Sequence, residues 1–95
     1  MGIDELLKPK RAEILRIAAR YGASNVRVFG SVARGEAGPE SDVDFLMDIA
    51  PGLGWEFVDL IDDLRALLGR DVDVLTENSV HWFIRDRVLQ EAVPL

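Results

Sequence analysis

Two aspartates one residue apart, Asp42 and Asp44, are the residues of this chain best suited to chemistry. They stand at the head of an apolar run, Val43, Phe45, Leu46 and Met47, that begins by alternating carboxylate and hydrocarbon. In a strand, residues two apart advance about 6.6 Å and share a face, so both carboxylates point the same way. Like charges so placed repel, and one pKa rises unless a cation stands between them. Mg²⁺ and other hard divalent ions take carboxylate oxygens, and two such ions about 3.5–4 Å apart can clamp the attacking and leaving oxygens of a displacement at phosphorus. On a strand edge facing water the same pair would be innocent, so the surrounding residues decide the reading.

Two further features bear on it. Gly30-Ser31 follows the β-branched and aromatic run Asn25–Phe29 and opens a stretch suited to a short helix. A glycine with following backbone N–H groups at such a junction lets a phosphate approach closely; the Ser31 hydroxyl and the Arg34 charge would add to it. Alone, Gly-Ser at a strand end is an ordinary turn, and Arg34 an ordinary solvated charge. The other feature is Asp73, in Asp71-Val72-Asp73-Val74. On a strand beside that of Asp42 and Asp44 it becomes a third carboxylate, able to bind metal or to take the proton of an attacking hydroxyl. Asp71 shares its face by alternation and competes for the role, though its place after Gly69-Arg70 suits a turn.

The elements that must hold these residues follow from periodicity. Leu7, Ile14, Ile17, Ala18 and Tyr21 form one stripe of a helix from about Asp4 to Tyr21, stopped at Gly22. Asn25–Phe29 reads as a strand, Gly38-Pro39-Glu40-Ser41 as a turn, Asp42–Asp48 as a second strand and Ile49–Gly54 as a loop. Phe57, Leu60, Ile61, Leu64 and Leu68 stripe a helix from about Trp55 to Leu68, with Asp59, Asp62 and Asp63 on its solvated side and Gly69 at its end. Val72–Thr76 is a third strand, and Asn78 or Ser79 would cap a closing helix through about Glu91, packed by Val80, Phe83, Ile84 and Val88. The order is α-β-(short α)-β-α-β-α. It predicts an α+β fold of two layers, a small mixed sheet with helices packed on one face, in a single domain over residues 1–95.

Composition limits what such a domain can do. With 95 residues there is no room for a second substrate domain. No apolar run approaches the roughly 20 residues of a membrane span, and Met1-Gly2-Ile3-Asp4-Glu5 does not read as a secretory signal. The chain has no cysteine, which excludes disulfides and thiolate chemistry and suits a cytoplasmic protein. A net charge of −6 argues against a broad nucleic-acid surface. The charge is nonetheless segregated, +4 over residues 1–34 and −10 over residues 35–95, so an anion site in the first third is compatible with it.

Read together, Gly30-Ser31-Val32-Ala33-Arg34-Gly35 and Ser41-Asp42-Val43-Asp44-Phe45 resemble the signature of the polymerase-beta-like nucleotidyltransferase superfamily, two half-motifs in order and at normal spacing. The short chain and the segment Gly69–Thr76 look like the minimal nucleotidyltransferases that serve as antitoxins to HEPN-domain toxins. The resemblance implies the nucleotidyltransferase fold, with Asp42 and Asp44 binding two Mg²⁺ ions and Asp73 as the third carboxylate. It also implies Gly30 and Ser31 at the β- and γ-phosphates, Arg34 supporting that loop and Ser41 orienting the first aspartate. The implied reaction is AMP transfer from ATP to a tyrosine of the cognate toxin, which would form a hetero-oligomer with this chain. Its rivals are a non-catalytic antitoxin that masks its toxin by contact, and nucleotidyl transfer to a small molecule. His81 reads as a surface or capping residue, Asp48 as pointing to water, and Trp55, Phe57 and Trp82 as core or interface.

Overall fold

Pro9 breaks the first expected helix. Proline donates no N–H and biases its predecessor away from the helical region. In the computed structural model, which describes residues 1–95, α1 is therefore a single turn, Ile3–Leu6. A 3₁₀ turn at Lys8–Lys10 carries Pro9, and α2 spans Arg11–Arg20. Gly22, at φ +74°, ends this helical region as expected. β1 (Ala23–Phe29) starts two residues earlier than its apolar run, because Asn25 at φ +49° makes an irregularity that the ladder absorbs between Ser24 and Arg27. It leads directly into α3, the single turn Gly30–Ala33. β2 (Val43–Ile49), α4 (Glu56–Leu68, closed by Gly69 at φ +65°) and β3 (Val72–Leu75) follow within a residue or two of expectation. α5 (Trp82–Glu91) closes the helical set.

A short strand that periodicity did not reveal, β4 (Val93–Pro94), ends the chain against β1. The four strands lie in the order β3-β2-β1-β4, with β1 antiparallel to both neighbours and β2 parallel to β3. The parallel pair requires a crossover, and α4 supplies it. The sheet is thus small and mixed, as the sequence indicated.

α2 and α4 cover one face. Ile14 and Ala18 from α2 and Leu60 and Leu64 from α4 meet Val26, Val28, Val43, Phe45, Met47, Val72 and Val74 in the main core. Tyr21 Oη donates to Asp63 Oδ2 at 2.6 Å and joins the two helices at its rim, so Asp63 is half-buried where a solvated acid was expected.

The opposite face carries a smaller cluster, Leu46 with Val80 and Val88 and the flanking Phe29, Leu75, Leu89 and Ala92. α5 lies there, and its burial is shallow. Phe83 and Ile84, expected to pack it, are exposed, and so are Trp82 (82%) and Trp55 (87%), which do not join the core. His81, Trp82 and Phe83 instead stack on one another, His81 and Phe83 edge to face at 4.5 Å. Ser79 caps no helix: its Oγ and the Thr76 backbone close a local turn, and α5 starts three residues later at Trp82. None of the helices is long and apolar enough to cross a membrane.

Candidate active site

The face bearing α5 also bears the carboxylates. Alternation along β2 sends Val43, Phe45 and Met47 into the main core and leaves Asp44 and Leu46 on the other side. β3 repeats the pattern, Val72 and Val74 inward and Asp73 and Leu75 opposite. In the parallel ladder Asp44 is paired with Asp73, and in the antiparallel one with Phe29, the residue before Gly30. Register therefore brings together three positions separated by long stretches of chain.

Gly30 is fitted to this spot in two ways. Its φ of +74° is one that side-chain-bearing residues rarely adopt, and a Cβ placed on it would lie 2.3 Å from Asp44 Oδ2. Asp44 packs against bare backbone at the start of α3, with half-buried Ser31 next along the turn.

Burial, then the charges of Asp73, Asp42 and Glu91, push the Asp44 carboxyl up to about 6, against a smaller opposing effect of Arg34. Asp73 is its partner in the parallel ladder, and Asp42 lies two residues before it. Asp42 sits just before β2, one residue outside the strand, and is exposed, as is Asp73. Asp71 is placed elsewhere: its carbonyl accepts from Val43 N–H at 3.0 Å, and its exposed carboxylate lies 3.9 Å from Arg65 Nε on α4. Asp73→Asn is therefore expected to reduce chemistry at this cluster at least a hundredfold, roughly the loss on removing one electrostatic group from a reacting site, with Asp71→Asn within about threefold of wild type by the modest worth of exposed ion pairs. Comparable losses in both, measured side by side, would overturn that assignment.

The remaining expected residues occupy supporting places. Ser41 Oγ accepts from Gly38 N–H at 2.8 Å, and Arg70 Nη1 donates to the carbonyls of Gly38 and Ser41 at 2.9 and 3.1 Å, fixing the turn that enters Asp42. The Ser41 hydroxyl thus shapes the turn. Arg34 Nε donates to Glu36 Oε2 at 3.1 Å, and its Nη1 donates to Glu91 Oε1; the Glu91 contact first, then Glu36, raises its pKa. Asp48, at the other end of β2, is exposed and bonded to Asn25 and Arg27.

Arg70 and Glu91 escaped the sequence reading. Arg70 lies in the turn expected at Gly69-Arg70, and Glu91 on a helix with no motif; no local pattern marks either as a site residue.

As a metal site the cluster is open. No three or more carboxylates or imidazoles stand close enough to form a finished cage. The donor set is nonetheless all carboxylate, suited to hard cations, and the raised Asp44 pKa shows that burial and the neighbouring acids outweigh the one nearby cation, Arg34. Mg²⁺ commonly binds through one or two carboxylates, with waters and substrate phosphates completing its shell, so these residues fit it.

Comparison with known proteins places the chain among relatives. The family model described as nucleotidyltransferase domain matches residues 11–95. The protein adenylyltransferase MntA of Thermococcus cleftensis is 39% identical over 93 residues, 96% of this chain and 90% of its own. A solved structure provisionally described as a minimal nucleotidyltransferase superposes with a TM-score of 0.85 at 42% identity, covering all of this chain and 97% of that one. A toxin–antitoxin crystal structure with AMP-PNP shares the fold at a TM-score of 0.68 and 21% identity, over 87% of this chain and 69% of that one.

Proposed function

The chain belongs to the nucleotidyltransferase domain family, and on that premise we propose that it transfers AMP from ATP to a tyrosine hydroxyl of a partner protein, a HEPN-domain toxin for which it is the cytoplasmic antitoxin. The observation that carries the reaction is the register pairing of Asp44 with Asp73 beneath the bare backbone of Gly30. The relative named MntA supports a protein acceptor. The shared fold with a toxin–antitoxin structure with AMP-PNP supports the pairing and the adenine nucleotide.

Asp42, Asp44 and Asp73 would hold two Mg²⁺ ions, which when bound neutralise phosphate charge and polarise the reacting oxygens. The backbone at Gly30-Ser31 binds the β- and γ-phosphates, with Arg34 supporting that loop and Ser41 setting the entry to Asp42. The acceptor oxygen attacks the α-phosphorus in line. A new P–O bond forms to the acceptor, the bond to the β-phosphate bridging oxygen breaks, and pyrophosphate leaves. Asp73, the exposed member of the pair, would accept the hydroxyl proton.

Incubation of the chain with ATP, Mg²⁺ and its partner is expected to add one or more AMP units to the partner, read by intact mass, and chelation with EDTA to stop it. An unchanged partner mass would refute the acceptor. A second reading has its own observation: the exposed stack of His81, Trp82 and Phe83 is apolar surface on which a partner can seat without chemistry. Under that reading an Asp42→Ala, Asp44→Ala double variant still neutralises the toxin; under the enzymatic one it does not.

A further inference from the structure

Glu91 belongs to neither half-motif, yet it reaches the site from the far end of the chain. The Arg34 guanidinium is held by two acids that differ in kind. Glu36 is two residues away on the same loop, with its side chain 66% exposed. Glu91 is 57 residues away, its side chain only 20% exposed, and is the last residue of α5.

That position is unfavourable for an acid within its own helix. A helix C-terminus carries partial negative charge and favours cations, and the last turn of α5 has no basic residue to offset it. The offsetting cation is Arg34, where α3 ends.

The backbone around Glu91 is also fixed. Val88, one turn earlier, is buried against Leu46. Ala92 N–H donates to the Val88 carbonyl at 2.9 Å, and Val93–Pro94 then pair with Val28 and Arg27 of β1. Glu91 is thereby tied to the strand that delivers Gly30. An arginine side chain is long and rotamer-rich, and an acceptor held this firmly removes much of its freedom.

We propose that Glu91 is a positioning residue, which through Arg34 holds the guanidinium against the Gly30-Ser31 loop so that α5 completes the site for the nucleotide triphosphate. The inference rests on the nucleotide reading above. It has a sign of its own: Glu91 is an anion near an anion site, so simple charge repulsion would make its removal strengthen nucleotide binding. Positioning predicts the reverse.

The test is calorimetric binding of ATP with Mg²⁺ to the full chain and to Glu91→Ala, Glu91→Gln, Arg34→Ala and the Arg34→Ala, Glu91→Ala double variant, with melting temperatures alongside. Glu91→Ala is expected to weaken binding roughly tenfold, the scale of one hydrogen bond to a charged group. Glu91→Gln, which keeps an acceptor oxygen, should recover part of the loss and remain folded should the alanine variant not. Because Glu91 acts through Arg34, the double variant should bind no more weakly than Arg34→Ala, a non-additivity that a merely structural role would not produce. Tighter or unchanged binding by both Glu91 variants, or additive losses, would overturn the inference alone. No binding by the wild-type chain would overturn the nucleotide reading and the inference with it.

Discussion

Asp44→Asn is expected to cut nucleotidyl transfer by at least about a thousandfold, the several kcal/mol that metal-assisted charge stabilisation supplies. The same substitution is expected to raise the melting temperature of the protein at pH 8 in chelator. The two effects have one cause. Asp44 lies among Asp73, Asp42 and Glu91, partly desolvated, and its carboxyl is pushed up to about 6 from an ordinary 3.8. The folded protein therefore binds this proton more tightly than the unfolded chain. Linkage then requires stability to fall as pH rises from about 4 to about 6, with the penalty fully present above that window. Discounted for partial exposure to solvent, the penalty is on the order of 1 kcal/mol, or about 4–8 °C for a domain of this size. Asparagine fills the same space without the charge and removes it. Mg²⁺ should raise the wild-type melting temperature at pH 8 and leave that of the variant nearly unchanged. A variant that melts lower than wild type in chelator would show that the site is not strained by its own charge.

Gly30→Ala should be nearly as damaging, for a steric reason. A methyl at this position lies 2.3 Å from Asp44 Oδ2, and the backbone is at φ +74°. Either the carboxylate moves off its position or the start of α3 does, and both displace the carboxylate from the Gly30-Ser31 backbone. Misplacement of about 1 Å at a reacting centre can cost on the order of a hundredfold, and the backbone strain about 1–3 kcal/mol of stability. Gly52→Ala is the matched control. Its φ of +86° is just as unusual, but an added Cβ there meets nothing within 4 Å. It should lose comparable stability by thermal melting and retain full transfer. Equal activity losses in the two variants would assign the Gly30 effect to strain and refute the contact with Asp44.

How much of this was legible depends on the range of the interaction. α4 was readable because its apolar stripe and Gly69 are local signals, and β1 and β2 because alternation and glycine punctuate them. Pro9 was just as local a signal, and its break of the first helix stood in the sequence to be read. The pairing of Val93–Pro94 with β1 was not, since two residues carry no periodicity and only the partner strand makes them a strand. α5 was drawn as a packed helix because Phe83 and Ile84 are apolar, but the sheet offers it only Leu46, Phe29 and Leu75 to cover, so its first turn stays in water.

The site divides along the same line. By itself the sequence determined which chemistry is available: Asp42 and Asp44 two apart, Gly30-Ser31 at a strand end, and no thiol. Side-chain type and spacing within a strand are local properties. What only the tertiary structure decided is which distant groups share that space. Asp71 and Asp73 are equivalent by alternation; the parallel register sets Asp73 beside Asp44, while Asp71 lies near Arg65. The opposition of Gly30 to Asp44, and of Glu91 to Arg34, likewise exists only once strands pair and α5 settles on the sheet. Register and helix placement minimise the free energy of the whole chain, and no single segment contains them.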